Sequence, residues 1–395
     1  MRILFVTASR FWASGDGDSI RSHGVLSAIS RFCDVDVVYV GTDTIVDASA
    51  SHRVRVIRWV VGSNTPAGRL GRLIRPGLFG RSWSRDLCRH IESLLASGAY
   101  SAVHFDGLQF CEYALRLRRY AILDIRDTWS RLYFQRAKAS GGLAPLIAAK
   151  GFGFLVVERC LIAAGLPIAL LSRADLDYWD NLFGDCGGAF LLPNGVSPPP
   201  IVHSSRRTQG LVVFCGAFDY LPNRDGLLWF LGSVWDRVHK LCPHAQFRIV
   251  GRSAPLELAN SDRGVQVEAN VPSVAPHLQE AHVIVCPLRM GTGIKNKVLE
   301  ALAFGRGLVA TPVAMDGIPA TPGSDYVSAS TADEFVRALC SLISDISYAD
   351  ELGRAGRAFV SDRFSWNYAS EVLMREYAGV QGSVRERSSS SSRPA

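Results

Sequence analysis

The chain has 395 residues and a net charge of +7, and 48% of its residues are hydrophobic and 20% charged. At roughly 150 residues a domain, this composition predicts two or three packed domains and excludes a mainly disordered chain. The 36 glycines follow no Gly-X-Y period, which excludes collagen. The nine cysteines are scattered and form no zinc or redox motif, so we expect buried, unreactive thiols in a reducing, cytoplasmic compartment.

In the first half of the chain, short apolar runs alternate with longer amphipathic segments. The runs predict strands at residues 3–7, 35–40, 54–59, 102–105, 121–125, 167–172 and 190–193. Helices fit at 19–31, 84–96 and 148–163. The very apolar segment 151–171 contains Glu158 and Arg159, so it predicts a core helix and a strand rather than a membrane span. The alternation indicates βαβ units and a mostly parallel sheet.

After a turn signal at Asn194-Gly195, residues 197–209 form a polar, proline-rich stretch that predicts a linker. The alternation then restarts, with strands at 211–215, 247–250, 281–287 and 308–311 and helices at 224–240 and 296–304. We therefore expect two doubly wound, Rossmann-like α/β domains, at 1–196 and 210–363. Such domains bind ligands beyond the carboxyl ends of their strands. The serine- and arginine-rich tail 382–395 is predicted to be disordered.

The segment 287–305 carries the strongest functional signal. It reads as a strand running into a loop with Gly291 and Gly293, then a helix that Gly305 is placed to cap. Backbone N–H groups at the helix start could hold a diphosphate, with positive charge from Lys295 and Lys297. Glu300 could accept two hydrogen bonds from a ribose diol. A tight turn followed by a surface Lys297–Glu300 pair is the alternative interpretation.

This segment resembles the donor-binding loop of GT-B glycosyltransferases of the retaining, glycogen-synthase-like superfamily (glycosyl transferases group 1). Glu300 matches the second glutamate of the family's Glu-x7-Glu pattern, and the following Ala-Leu-Ala-Phe-Gly and Val-Ala-Thr match what comes next. Thr292 stands where the first glutamate would be. The resemblance implies a GT-B fold, two Rossmann-like domains facing a central cleft. It also implies that Glu300 binds the nucleotide ribose, and the change to Thr292 puts contacts with the donor sugar in doubt.

Other motifs resemble the same family in the expected order. They are Pro-Asn-Gly-Val at 193–196, Gly-Ala-Phe-Asp-Tyr-Leu-Pro-Asn at 216–223, Ile-Val-Gly-Arg at 249–252 and Phe-Ser-Trp at 364–366. The resemblance implies that Gly216 makes room for the diphosphate, Asn223 shapes the loop and Arg252 lies beside the nucleotide. It also implies that a helix at 364–380 crosses back to the first domain.

The first domain is less specific. Gly17 follows the first strand in a glycine-rich loop, and Arg21 comes one turn into the next helix, where the family often has such residues near the donor phosphates. Asp106 ends a strand at a slot where many members have histidine, while His104 is expected inside the strand. Asp127 ends the following strand. Turn formation and helix capping are the alternative interpretations of Gly17, Asp106 and Asp127.

These features predict a hexosyltransferase-like enzyme that moves a sugar from a nucleotide-sugar to a glycan, lipid-linked or small-molecule acceptor, with retention. Lys297 would stabilise the leaving diphosphate, and Asp106 and Asp127 would face the sugar or acceptor. No metal motif is evident, so we expect no metal cofactor, and no motif indicates nucleic acid. Basic and apolar residues near 68–86 and 141–155 suggest a peripheral membrane contact. A GT-B protein that binds without transfer is the main alternative. An NAD-dependent oxidoreductase or a sugar-nucleotide epimerase is less well supported.

Overall fold

The computed structural model describes residues 1–12, 17–41, 53–59, 84–138, 141–199, 207–291 and 294–390. The basic segment 68–83, most of the predicted linker, Thr292 and Gly293 therefore lie outside the described residues. The chain divides into two compact units. Unit 1 comprises Met1–Gly195 and Trp366–Ala395, and unit 2 comprises Val196–Ser365. Within the described ranges, the search for helices long and apolar enough to span a membrane returns none.

Unit 1 is built on a parallel sheet of seven strands in the order β3-β2-β1-β4-β5-β6-β7. The strands are β1 (Arg2–Thr7), β2 (Asp34–Val40), β3 (Val54–Trp59), β4 (Ala102–Asp106), β5 (Ala121–Arg126), β6 (Ile168–Leu170) and β7 (Ala189–Leu191). Each corresponds to one predicted apolar run, because strands covered on both faces are continuously apolar. The strand order reverses between β1 and β4, so Thr7 and Asp106 lie at the switch point where such sheets bind ligands.

The helices of unit 1 cover this sheet. They are α1 (Gly17–Ser30), α2 (Arg85–Ala96), α3 (Cys111–Arg116), α4 (Trp129–Lys138), α5 (Ala144–Ala163), α6 (Arg173–Phe183) and, at the end of the chain, α13 (Trp366–Ser390). Helix α13 packs against α1, where a Cβ on Gly24 would lie 1.9 Å from the Trp366 ring. His104 lies inside β4 as predicted, fully buried, with its Nδ1 2.8 Å from the Tyr377 hydroxyl of α13.

The predicted disorder of the tail 382–395 is wrong for residues 382–390, which continue α13. Lengthening an existing helix adds one hydrogen bond for each residue fixed and needs no new nucleus. A helix already anchored on unit 1 can therefore extend into a polar sequence that would not fold alone. Residues 391–395 lie outside the described part of the chain.

Unit 2 is built on a second parallel sheet, of six strands in the order β10-β9-β8-β11-β12-β13. The strands are β8 (Leu211–Cys215), β9 (Gln246–Gly251), β10 (Val265–Ala269), β11 (Val283–Cys286), β12 (Gly307–Ala310) and β13 (Val327–Ser328). The four predicted strands are the four central ones. The two edge strands, β10 and β13, are missing from the prediction because they are partly exposed or only two residues long.

The helices of unit 2 lie on this sheet. They are α7 (Leu221–Phe230), continued by a π-helical turn (Leu231–Trp235) into α8 (Asp236–Leu241), then α9 (Ala275–Glu280), α10 (Asn296–Ala303), α11 (Ala332–Ser344) and α12 (Ile346–Arg363). Gly305 follows α10 at φ +66°, the left-handed conformation that suits glycine as a helix cap. The start of the predicted linker belongs to unit 2, since Val196 donates to the Phe364 carbonyl at 2.7 Å and Arg357 donates to the Pro199 carbonyl at 2.5 Å.

Candidate functional site

The loop after β11 leads into α10, and the residues packed around it contact its backbone carbonyl groups. The Thr311 hydroxyl donates to the Leu288 carbonyl at 2.5 Å and accepts from the Ala314 N–H at 3.1 Å. On the other side, a Cβ on Gly226 of α7 would lie 2.6 Å from the Pro287 carbonyl oxygen. Helix α7 can therefore approach this loop only because residue 226 has no side chain.

Three predicted site residues meet beside the first turn of α10. The Lys297 ammonium donates a hydrogen bond to Asn223 Oδ1, and Asn223 Nδ2 donates to the Ala217 carbonyl at 2.7 Å. A Cβ on Gly216 would lie 3.0 Å from Lys297 Nζ and 3.1 Å from Asn223 Nδ2. Gly216 thus leaves the space that the lysine and asparagine heads occupy. Their convergence follows from the strand ends that carry them, because β8 and β11 are neighbours in the sheet.

The Lys297 side chain is a half-buried cation without a carboxylate partner among the described residues. Burial lowers its pKa, while Cys286, Cys215 and Glu300 act in the opposite direction. Its Nζ lies 5.4 Å from the centre of the Phe214 ring, a cation–π contact. Burial also raises the pKa of Cys215 to about 12 and of Cys286 to about 11, so both thiols stay neutral. A positive charge in such surroundings favours an anionic ligand.

Glu300 and Lys295 flank Lys297 on the same helix start. Burial raises the pKa of Glu300, and Lys297 opposes this rise. The Glu300 carboxylate accepts no side-chain hydrogen bond from the residues that the structure describes, so the predicted surface pair with Lys297 is not formed. Lys295 is nine-tenths buried, its Nζ lies 3.9 Å from Asp316, and this nitrogen has no hydrogen-bond acceptor. Burial lowers the pKa of Lys295 as well.

Arg252 stands at the end of β9 and is exposed. Its guanidinium pairs with Asp219 at 3.2 Å, an acidic partner that the sequence analysis did not single out. The residue before it, Gly251, has φ +139°, and a Cβ there would lie 2.0 Å from the Gly216 carbonyl oxygen. Only glycine fits at 251, and its close approach fixes the Gly216 backbone beside Lys297.

In unit 1, Arg21 does not point to open space. Its guanidinium is almost fully buried and donates twice to Asp124, at 3.0 Å each, once to Asn194 Oδ1 at 2.8 Å and once to the Leu192 carbonyl at 2.9 Å. A guanidinium whose three nitrogens all have partners inside the protein is placed to hold together α1, β5 and the segment 192–194 that follows β7. Gly17 begins α1, while the rest of its loop, residues 13–16, lies outside the described residues.

Asp106 is the last residue of β4 and is also occupied by the protein. Its carboxylate accepts hydrogen bonds from Thr7 Oγ1 at 2.7 Å, Ser22 Oγ at 2.5 Å and the Arg126 guanidinium at 2.7 Å. Burial raises the pKa of Asp106, but the charge of Arg126 and these hydrogen bonds outweigh it and the net shift is downward. An anion so well satisfied is a poor proton acceptor.

Arg126 is a site residue that the sequence analysis did not select. It has φ +68°, at an irregularity in the pairing of β5 with β6. Its guanidinium bonds Asp106, pairs with Asp18 and leaves Nε buried without a hydrogen-bond partner. A non-glycine residue in this conformation is strained, which is common at functional sites. The sequence signal that could have found it is its position at a strand end directly before the predicted Asp127.

Asp127, the next residue, differs from Asp106. Burial, together with the charge of Asp175, raises its pKa to about 6, and Arg21 and Arg126 only partly oppose this. Its carboxylate accepts no side-chain hydrogen bond within the described part of the chain. The alternative role as a helix cap is filled by Glu158, which accepts from the Ser130 N–H at the start of α4 at 3.0 Å. Asp127 is thus the free carboxylate of the unit 1 site.

The remaining predicted features are the cysteines and the residue types that could bind a metal ion. All nine cysteines are free thiols; seven are buried, whereas Cys340 is partly exposed and Cys160 is exposed, against the expectation of burial. Cys160 lies on an exposed face of α5. In the ranges that the structure describes, no group of three His, Cys, Asp or Glu side chains is arranged to hold a metal ion.

Comparison with known proteins finds a family model that matches part of the chain and solved structures that share its fold. Residues 209–345, which contain the Lys297 site, match the family model "Glycosyl transferases group 1". A search of curated proteins returns no match. The family match, together with the fold, supports an enzyme of the transferase class.

Several solved structures share the fold over nearly the whole chain. Sucrose-phosphate synthase from Thermosynechococcus elongatus has 17% identity and a TM-score of 0.67, with 96% of this chain and 98% of that chain covered. Anabaena HepE in complex with UDP has 13% identity and a TM-score of 0.66, with 96% and 100% covered. WaaG, a glycosyltransferase involved in lipopolysaccharide biosynthesis, has 13% identity and a TM-score of 0.60, with 94% and 98% covered. The predicted α/β fold of the GT-B type is confirmed.

Proposed function

We propose that this protein is a hexosyltransferase-like glycosyltransferase that moves a sugar from a nucleotide-sugar donor to a glycan, a lipid-linked acceptor or a small molecule. The observation that carries the proposal is the half-buried Lys297 cation, held by Asn223 and lacking a described carboxylate partner, one turn before a half-buried Glu300. The pair supplies a positive charge for a diphosphate and an acceptor for a ribose diol on one helix face.

The donor binds to unit 2 in this proposal. Lys297 and Lys295, with the backbone N–H groups at the start of α10, hold the diphosphate, and Gly216 leaves space for it. Glu300 accepts hydrogen bonds from the ribose hydroxyls. Arg252 reaches the nucleotide side only when it leaves Asp219. UDP is the first nucleotide to test, because Anabaena HepE was solved with UDP and shares the fold.

The acceptor side is assigned to unit 1. Asp127 has a carboxylate free to accept a hydrogen bond from an acceptor hydroxyl, whereas Asp106 keeps Arg126 and Ser22 in place. We further propose transfer with retention and without a metal ion. In that reaction the anomeric bond to the diphosphate breaks, the acceptor oxygen bonds to the same face, and the hydroxyl proton passes to the leaving phosphate oxygen. Lys297 stabilises the charge that develops there.

The test is a thermal-unfolding panel with UDP, GDP, ADP, CMP and NAD, with and without Mg²⁺. It compares the wild type with Glu300→Ala and with Glu257→Ala, an exposed glutamate of the same unit, as the matched control. A ligand at a hundred times its Kd stabilises by about 2.7 kcal/mol, which shifts the melting temperature clearly. We expect one nucleoside diphosphate to stabilise the wild type and Glu257→Ala, and to lose this effect in Glu300→Ala. A response to NAD alone would sink the proposal.

A GT-B protein that binds a nucleotide or glycan without transfer is the second candidate. Two observations favour it: Thr292 replaces the family's first glutamate, and Asp106, in the histidine slot, is saturated by protein donors. Incubation with a pool of acceptors and a sugar donor that carries the stabilising nucleotide distinguishes a transferase from a binding protein. Release of the nucleoside diphosphate supports transfer, while stabilisation without any release supports a binding protein.

We also propose a cytoplasmic location with a peripheral membrane contact. Free thiols at all nine cysteines are typical of a reducing compartment. The start of α5 exposes Leu143, Leu146 and Phe152 to solvent beside Lys150, a combination that suits an anionic lipid surface. Flotation with anionic liposomes at low salt tests this contact, and a protein that stays at the bottom of the gradient would rule it out.

A further inference from the structure

The amino-terminal edge of the unit 2 sheet carries three nitrogen-rich side chains, at the opposite end of the strands from Lys297. His282 directly precedes β11, Arg306 directly precedes β12, and Arg207 lies shortly before β8. These three strands are consecutive neighbours, in the order β8-β11-β12. The three side chains therefore follow one another along a single edge.

His282 and Arg306 are buried and Arg207 is nearly so, and each has a nitrogen without a hydrogen-bond partner among the residues that the structure describes. His282 is 1% exposed and Arg306 8%, and the Arg207 side chain is 11% exposed. The unpartnered atoms are His282 Nε2, Arg306 Nε and Arg207 Nε. Buried polar groups normally have partners, so three such atoms in one place need an explanation.

The three atoms are all donors. His282 Nδ1 accepts the Gly210 N–H at 3.2 Å, so in the neutral ring the proton resides on Nε2. Burial and the charge of Arg207 lower the pKa of His282 to about 4, which keeps the ring neutral at physiological pH. An arginine Nε always carries a proton. The cluster thus presents three N–H groups and needs acceptors.

The charge of the cluster is also unbalanced. Arg207 pairs with Asp350 of α12, whereas Arg306 donates to the backbone carbonyl of Gln279 at 2.5 Å and has no described carboxylate partner. His244 faces the same group from the loop before β9. Two guanidinium groups against one carboxylate leave a net positive charge that is largely removed from water.

We propose that Arg207, His282 and Arg306 form a binding site for a phosphate group, separate from the nucleotide site. Phosphate offers several acceptor oxygens in a tetrahedral arrangement. Arginine donors form stronger hydrogen bonds with a charged phosphate than with a neutral acceptor. The strand β8, with five residues at about 3.3 Å each, places the two sites roughly 16 Å apart. The bound phosphate satisfies the three donors and stabilises unit 2.

The test measures binding of inorganic phosphate and of glycerol phosphate to the full chain, by calorimetry and thermal unfolding at constant ionic strength. We expect the wild type, Lys297→Met and the surface control Arg237→Gln to bind phosphate alike. Arg306→Gln should weaken binding by about tenfold or more, because it removes a charged donor. Binding of glycerol phosphate alone would indicate a phosphate monoester as the ligand, and binding of inorganic phosphate alone would indicate the free ion. Either result supports the site.

A second variant covers the case in which Arg306→Gln does not fold. His282→Asn keeps an oxygen that can accept from the Gly210 N–H but removes the Nε2 donor, and should also weaken phosphate binding. If Lys297→Met abolishes the phosphate response while Arg306→Gln and His282→Asn retain it, the ion binds at the nucleotide site and the proposal is wrong. It is equally wrong if the wild type shows no response. These readouts do not depend on transferase activity.

Discussion

At the carboxyl edge of the unit 1 sheet, Arg21 and Arg126 each pair with a buried aspartate, whereas at the same edge of the unit 2 sheet Lys297 has no carboxylate partner among the described residues. Arg21 binds Asp124 and Arg126 binds Asp106, all within hydrogen-bond distance. Among the described residues of unit 2, Lys297 contacts the amide of Asn223 and the Phe214 ring and pairs with no carboxylate. The same fold therefore gives one edge whose arginines are paired within the protein and one edge with a lysine that has no anionic partner in the described part of the chain.

This difference separates charges that hold the fold from charges that await a ligand. A buried ion pair is costly to break by removing one partner, because the remaining charge is left uncompensated. A buried cation without a carboxylate lowers stability, and its retention is best explained by a ligand. The two edges should therefore respond in opposite ways when one charge is removed.

The largest effect is expected from Arg21→Met. This change leaves the Asp124 carboxylate buried without its two guanidinium hydrogen bonds, and should lower the free energy of unfolding by about 3–5 kcal/mol. Denaturant unfolding monitored by circular dichroism measures it. Arg116→Met, which breaks the exposed pair with Glu92, is the control and should leave stability nearly unchanged. An Arg21 variant as stable as the wild type would remove the contrast between the two edges.

The next effect is on catalysis and comes from Lys297→Met. Methionine fills a similar volume without the charge, so stability should stay the same or rise. Sugar transfer should fall by about 10²–10³-fold in kcat/KM, because the leaving diphosphate loses its nearest cation. The matched control is Lys240→Met, at an exposed lysine of the same unit. If Lys297→Met lowers the free energy of unfolding as much as Arg21→Met but keeps its transfer activity, then Lys297 stabilises the fold and does not act in catalysis.

The sequence predicts the scaffold well because each central strand is a local signal. All seven strands of unit 1 and the four central strands of unit 2 coincide with apolar runs. The meeting of Lys297, Asn223 and Gly216 was also predictable, since strand ends in a parallel sheet share one edge. The edge strands β10 and β13 were not, because short or half-exposed strands lack such a run.

The roles of the unit 1 residues could not be predicted in the same way. Arg21 was expected near the donor, but its partner Asp124 lies 103 residues away, and no local pattern indicates such a pair. Asp106 and Asp127 look alike in sequence, as acidic residues at neighbouring strand ends. Only their surroundings distinguish them. Asp106 is surrounded by three hydrogen-bond donors, one of which is charged, whereas Asp127 lies near another carboxylate, that of Asp175.

The smallest predicted effect concerns Asp127, which is the exception at the unit 1 edge because its charge is not paired. Asp127→Asn should lower kcat/KM by about tenfold to a hundredfold, through loss of an anionic acceptor for the substrate hydroxyl. In the wild type, kcat/KM should fall as the pH drops below about 6, where Asp127 becomes protonated. That acidic limb should be absent from the pH profile of the variant.

The Asp127→Asn variant should also be more stable than the wild type, and the direction of this change follows from the raised pKa of Asp127. Asp127 has a folded pKa of about 6 against an ordinary value of 3.8, so its ionised form opposes folding. The penalty is fully present above pH 6, fades as the pH falls through the folded pKa, and is gone below 3.8. Asp127→Asn should therefore raise the free energy of unfolding at pH 8 by about 1–2 kcal/mol and by less at pH 4. A loss of activity together with a gain in stability marks a charge kept for a substrate, whereas a variant that loses both would place Asp127 with Arg21 and Asp106 among the groups that hold unit 1 together.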